Sequence, residues 1–173
     1  MFKNFFYALI ISLIPFSLLA DNGVLPYGVG EDGLYKQRWI NQTTMDLKQD
    51  FINAQQRDKI LVYLFEQPGC VYCKYMHEEV FSDKEVSDII EKHFYFIQIQ
   101  MAGMIPLKDF DGKEYQEKDF SRLNKIIGTP SMVFFDSKKP VDSFNSLLNA
   151  EVLTLPGAFK KEDMTKFLLS LVD

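Results

Sequence analysis

Thiols and imidazoles are scarce in this chain. Of 173 residues only two are cysteine and two histidine. Cys70 and Cys73 alone cannot form a multi-bridge disulfide scaffold, nor a four-thiolate zinc site within one chain. Positive charge is also short: 19 Lys and Arg stand against 24 Asp and Glu, a net charge of −5, and no basic stretch stands out. A nucleic-acid partner is therefore not expected, because affinity for a phosphate backbone comes largely from clustered cations. What is plentiful is apolar: 47% hydrophobic and 14% aromatic residues, the composition of one ordinary globular domain. No internal repeat and no second-domain boundary are visible.

Only one long hydrophobic run occurs, and it lies at the start. Met1 to Ala20 carries Lys3, then an apolar stretch from Phe5 to Leu19, then Ala20 before polar Asp21 and Asn22. The stretch is about fifteen residues and contains Pro15, short of the roughly 20 needed to span a bilayer as a helix. This layout predicts a secretory signal cut after Ala20, with Leu18 as the departure from the usual small residue three before the cut. An uncleaved anchor is the alternative. Either way the domain would reach a compartment in which disulfides persist.

Asp21 to about Gln42 is rich in glycine and polar residues, with Pro26, Gly28, Gly30 and Gly33 working against regular structure. The stretch 21–38 reads as an extended lead-in, with Trp39 anchoring its end and residues 39–173 forming the domain. Thr43 or Thr44 is expected to cap a helix bearing Leu47, Phe51 and Ala54. Ile60 to Phe65 is an unbroken apolar run of strand length, suited to a central strand covered on both faces. Gln67-Pro68-Gly69 stops it. A helix then opens on Cys70-Val71-Tyr72-Cys73, with Cys73, Met76, His77 and Val80 on one face.

Ser82-Asp83-Lys84-Glu85 matches a capping box before a helix burying Val86, Ile89 and Ile90. Tyr95, Ile97, Ile99 and Met101 alternate as in a strand, and Asp111-Gly112 signals a hairpin within Pro106 to Tyr115. Phe120, Leu123, Ile126 and Ile127 predict a helix closed by Gly128. Ser131 to Phe135 and Val152 to Leu155 read as further strands, and Met164, Phe167, Leu168 and Leu171 as a closing amphipathic helix. The class is α/β.

The two cysteines carry the chemistry. A bridge between residues three apart closes so short a loop that it would stabilise by only about 2 kcal/mol, against roughly 3 for a 15-residue loop. A staple there would be weak. A cycling dithiol fits better: at a helix N-terminus the macrodipole favours the Cys70 thiolate, and Cys73, one turn along, can attack the mixed disulfide that results. Inert buried thiols are the bland alternative. Haem attachment would require His after the second cysteine, where Lys74 stands. Cys70, Cys73 and His77 could meet zinc or copper, but only His93 remains as a fourth imidazole or thiolate ligand. His77 is expected to pack on the helix face near the dithiol, and no metal or other cofactor is expected.

Leu64 to Lys74 (Leu-Phe-Glu-Gln-Pro-Gly-Cys-Val-Tyr-Cys-Lys), followed by Gly128-Thr129-Pro130-Ser131 and Phe134-Phe135-Asp136, resembles thioredoxin-like proteins, among them the exported SoxW-type thioredoxins. The resemblance runs from about residue 39 to 173. It implies a thioredoxin-like fold, in which a central four-stranded mixed sheet is flanked by helices and Pro130 is cis beside the dithiol. It also implies Cys70 as nucleophile, Cys73 as resolving thiol, and Thr129 with Pro130 as the edge that pairs with a substrate chain. Protein thiols and disulfides are the implied partners of a monomeric enzyme, with a membrane protein as electron donor.

Two departures from the resemblance matter. Cytosolic thioredoxins carry a buried Asp in the strand before the motif, where this chain has Val62, Tyr63 and Leu64. Glu66, the nearest carboxylate, could relay a proton for Cys73, or be merely a solvated charge at a strand end. Val71-Tyr72 is neither the Gly-Pro of cytosolic reductases nor the Pro-His of the strong periplasmic oxidant, and Tyr before the second cysteine looks like exported reductases and isomerases. The isomerases carry a separate dimerisation domain, for which Asp21 to Gln42 is too short. The expected function is therefore an exported thiol:disulfide oxidoreductase acting as a reductase, the alternative being a redox-inert or metal-handling binding module on the same fold.

Overall fold

The computed structural model describes residues 27–172. The expected leader Met1–Ala20, its cut after Ala20 and the first residues of the lead-in lie outside the described residues. Among the described residues no helix is long and apolar enough to cross a membrane.

Two short strands open the described chain, β1 (Gly28–Val29) and β2 (Tyr35–Lys36), paired antiparallel. The lead-in is thus not wholly extended: Gly33, at φ +75°, turns the chain back on itself in the left-handed region that glycine tolerates. There follow β3 (Ile40–Asn41), α1 (Leu47–Gln55), β4 (Ile60–Glu66) and α2 (Val71–Tyr75), which runs on into a π-helical turn, Met76–Val80. Next come α3 (Lys84–His93), β5 (Phe94–Gln100), the hairpin β6 (Pro106–Lys108) and β7 (Glu114–Gln116), and α4 (Glu117–Leu123). β8 (Ser131–Phe135), a 3₁₀ turn at Val141–Ser143, α5 (Leu147–Ala150), β9 (Glu151–Pro156) and α6 (Lys161–Ser170) complete the order.

The central sheet has the order β3-β5-β4-β8-β9, five strands where the resemblance implied four, because the two residues of β3 pair parallel with β5 at the edge. β4 and β5 are parallel, while β8 runs antiparallel to both β4 and β9. The sheet is therefore mixed, as expected. β4 is central and covered on both faces. Leu61, Tyr63 and Phe65 point into one core with α1, where Phe51 packs edge-on against Phe135, Phe110 and Phe144. Val62 and Leu64 point into the other, with Trp39, Met76, Phe81, α3 and α6. Trp39 sits edge-on to Phe81 at 5.3 Å and Phe96 at 4.9 Å, and so anchors the lead-in.

Several boundaries differ from the sequence expectation for local reasons. Helix α1 is capped by Asp46, whose carboxylate accepts from the Gln49 N–H at 3.2 Å. Thr43 and Thr44 instead donate their hydroxyls to the buried Asp50, each at 2.7 Å. Helix α3 is capped by Asp83, which accepts from the N–H groups of Glu85 and Val86. The Ser82 hydroxyl is spent on the His77 carbonyl. Asp83→Ala should accordingly cost about 1 kcal/mol in urea denaturation, the usual worth of an N-cap side chain. An unchanged midpoint would show that the cap contributes nothing.

Helix α4 ends before Gly128. Asn124 closes it and Lys125 takes the left-handed conformation, φ +58°, that turns the chain. Ile126 then returns to the core, whereas Ile127, expected on the buried face, is 92% exposed.

Candidate functional site

β4 aims the chain at the top of the sheet, and the turn Gln67-Pro68-Gly69 reverses it into α2. Gly69 has φ +75°, a conformation that favours glycine. The reversal leaves Cys70 as the N-cap of α2 with Cys73 one turn inside it, and the two sulfurs are joined as a disulfide with Cα atoms 5.2 Å apart. Cys70 is 7% exposed and Cys73 is fully buried. The intervening Val71 and Tyr72 project into solvent.

Two donors converge on Cys70 Sγ. The Cys73 backbone N–H lies 3.0 Å from it, and the Thr129 hydroxyl donates from 3.3 Å. The Thr129 carbonyl oxygen is 3.5 Å from the same sulfur. The structure thus brings Thr129, which is 59 residues away in sequence, onto the first cysteine. The Thr129–Pro130 peptide bond is cis, and the Pro130 carbonyl accepts from the Gly157 N–H at 2.8 Å, fixing the segment to the end of β9. Exposed Ile127 precedes this segment by two residues. Cys70, Cys73, Thr129 and Pro130 therefore share one location.

Beneath the dithiol helix lies a polar cluster that the sequence did not announce. Val62, Leu64 and Glu66 share one face of β4, as Phe96 and Gln98 share that face of β5, and both stripes change from apolar to polar near the α2 end. Glu66 is 1% exposed rather than solvated, and its two carboxylate oxygens face His77 Nε2 at 3.1 and 3.2 Å. His77 is itself fully buried. Gln98 Nε2 donates to Glu66 Oε2 and to the Tyr35 carbonyl at 2.8 Å, and Gln98 Oε1 accepts from Lys36 Nζ at 2.6 Å.

The β1–β2 hairpin closes this cluster. The Tyr35 ring lies 5.5 Å from the imidazole, and Gln37 Nε2 donates to the His77 carbonyl at 3.0 Å. At the hairpin's start the Tyr27 hydroxyl donates to Glu78, and that carboxylate holds the phenol up to about 12. One atom is left over: His77 Nδ1 is buried and has no hydrogen-bond partner among the described residues. Sequence reasoning placed His77 on the right helix face and considered Glu66 for proton transfer, but did not join them. The signal that could have done so was an acid ending the strand and an imidazole one turn past the second cysteine.

A disulfide-bonded CxxC at the start of a helix, with its first cysteine keeping 7% exposure and its second fully buried, supports thiol–disulfide exchange. Comparison with known proteins agrees at the level of fold. The family model described as a thioredoxin-like domain matches residues 47–171. Among solved structures, a thioredoxin from Thermus thermophilus superposes with a TM-score of 0.56 at 21% identity, covering 77% of this chain and 87% of that one. The C-terminal domain of Neisseria meningitidis DsbD in its oxidised form gives 0.50 at 19% identity, covering 72% and 91% respectively. A search of curated proteins gave no match.

Proposed function

Because the chain belongs to the family of thioredoxin-like domains, we propose that it is an exported thiol:disulfide oxidoreductase working as a reductase of protein disulfides. The observation that carries this reading is the placement of Cys70 Sγ at a helix N-cap, where a backbone N–H and the Thr129 hydroxyl both point at it. In the reduced protein those donors face the Cys70 thiolate, and the partial positive charge of the helix start adds to them. The thiolate attacks one sulfur of a substrate disulfide and the other sulfur leaves as a thiol. Cys73 then gives up its proton, attacks Cys70 Sγ and releases the second substrate sulfur, so the protein ends as the disulfide and the substrate as a dithiol. Glu66, the carboxylate nearest the motif in sequence, takes part in relaying the Cys73 proton.

Thr129 and Pro130 supply the edge beside Cys70 along which an extended substrate chain pairs, and exposed Val71, Tyr72 and Ile127 offer it apolar surface. The reductase direction and the exported location rest on the leader-like Met1–Ala20 and on Tyr72 before the second cysteine. A membrane-bound thiol donor that re-reduces the Cys70–Cys73 bond, and action as a monomer, complete the proposal. The test is turnover of insulin disulfides by the reduced protein with and without a chelator, alongside an equilibrium titration against a glutathione series. Turnover indifferent to chelator supports the reading. No turnover, or turnover only after chelation, sinks it in favour of a binding module.

The environment of Cys70 makes a second expectation. Its thiol should titrate below the free-cysteine value of about 8.5 in an alkylation-rate profile. Thr129→Val, which removes one of the two donors, should move that midpoint upward. A midpoint at or above 8.5 in the unaltered protein would contradict the thiolate assignment.

A further inference from the structure

Among the described residues three buried side-chain polar atoms lack a hydrogen-bond partner, Trp39 Nε1, Ser87 Oγ and His77 Nδ1, and of these His77 Nδ1 belongs to the polar cluster beneath the dithiol helix. With Nε2 directed at the Glu66 carboxylate, Nδ1 of the neutral ring presents a bare lone pair, an acceptor with nothing to accept. Buried polar atoms without partners are rare enough that each requires a reason. Here the oxidation state supplies one. A disulfide carries no hydrogen, so in this state neither sulfur can donate, and reduction creates one new buried donor, the Cys73 S–H.

Helix geometry brings the two together. His77 follows Cys73 by four positions, and a helical side chain lies over the turn N-terminal to its own Cα, so the imidazole leans toward Cys73. Both are sealed from water. We propose that His77, through Nδ1, accepts the proton of the Cys73 thiol, and that Glu66 positions the ring by engaging Nε2. The inference rests on the exchange-active reading of the CxxC pair and names the group through which Glu66 acts.

The step balances. The Cys73 proton passes to Nδ1, the sulfur's electron pair attacks Cys70 Sγ, and the bond between Cys70 and the substrate sulfur breaks with its electrons on the departing thiolate. That thiolate then recovers a proton from the imidazolium or from solvent. The groups facing the ring are few. Glu66 comes from β4, the Tyr35 ring from β2 and the Phe81 ring from just past the π turn, while Lys36 reaches Glu66 through Gln98. On the ring's own turn, Glu78 is engaged by Tyr27 and by Lys74 at 3.6 Å, and Glu79 lies beside it. The acid in direct contact with the imidazole is Glu66, which holds the ring through Nε2 and leaves Nδ1 as the acceptor.

A thiol titrating near 8.5 is only about 3% ionised at pH 7, so an internal base can gain at most about thirtyfold there and nothing at high pH. That sets the experiment. The reduced protein is mixed with the aromatic disulfide DTNB in a stopped-flow instrument. The first release of coloured thiol reports attack by Cys70, and the second reports resolution by Cys73. In His77→Gln the second phase should slow relative to the first by about ten- to thirtyfold at pH 7, with the gap closing by pH 9. An unchanged ratio at pH 7, or equal slowing at both pH values, overturns the proposal while leaving disulfide exchange intact. No release at all from the unaltered protein defeats the exchange reading, and the proposal falls with it.

Should His77→Gln fail to fold, Glu66→Gln must show the same pH-dependent slowing of the second phase. A measurement on the unaltered protein decides independently. In nitrogen-15 NMR the His77 Nδ1 resonance should move between oxidised and reduced states while that of His93, the only other histidine, serves as internal control. A His77 resonance that stays in place overturns the proposal.

Discussion

Cys70→Ser is expected to abolish disulfide exchange, whereas Cys73→Ala should leave a protein that stalls on its substrates. The asymmetry follows from burial and from donors. Cys70 Sγ sits at the helix N-cap with two donors on it in a residue that keeps 7% exposure, while Cys73 has none. A substrate disulfide can meet the first sulfur but not the second. With Cys73 removed, nothing inside the protein can attack the mixed disulfide, and a species heavier by one substrate chain should accumulate in non-reducing mass spectrometry. Comparable trapping through Cys73 in the Cys70→Ser protein would reverse the assignment of roles.

His77→Leu is expected to destabilise the fold by about 1–3 kcal/mol or more, the cost of leaving a buried polar group short of its hydrogen-bond partner. Glu66 would then be left in a site 1% exposed with Gln98 as its remaining partner. Against a total stability of roughly 5–15 kcal/mol the loss is large, and the urea midpoint should fall accordingly. The double replacement Glu66→Leu with His77→Leu should recover most of it, because an apolar pair of similar volume leaves no unmatched polar group in the interior. If the double variant is as unstable as the single one, packing around the ring rather than pairing explains the cost.

Much of this architecture is legible from residue order. β4 and β8 are apolar runs of strand length bounded by turn residues, and Cys70 follows a proline-glycine turn that forces a new helix to begin there. Other elements resist such reading. β1, β2 and β3 are two residues each, too short for any periodicity: β1 pairs with β2, the Tyr35 carbonyl of β2 accepts from Gln98 of β5, and β3 pairs with β5. Cap identities slipped because the stretches Thr43–Asp46 and Ser82–Asp83 offer several oxygen-bearing side chains within a few residues. Which of them caps is settled by distant demands, such as Asp50 claiming both threonines and the His77 carbonyl claiming Ser82. The pairing of Glu66 with His77 was hidden for the same reason. It spans a strand end, a turn and a helix, and it is completed by Gln98, 32 positions further along.

The π turn at Met76–Val80 has a consequence best stated as an insertion. A helical segment whose hydrogen bonds reach five residues back, as the Phe81 N–H does to the Met76 carbonyl at 2.7 Å, carries one residue more than a regular α-helix needs over the same span. Through His77 the helix is phased to bury Cys73 and to set His77 against Glu66. Behind it, the phase sends Phe81 onto Trp39 and Phe96. Deleting any one residue of the turn would restore a uniform helix and rotate everything beyond it by about 100°. The active end and the aromatic core could then not both keep their alignment, so in this stretch the length of the chain is under as much constraint as its side chains.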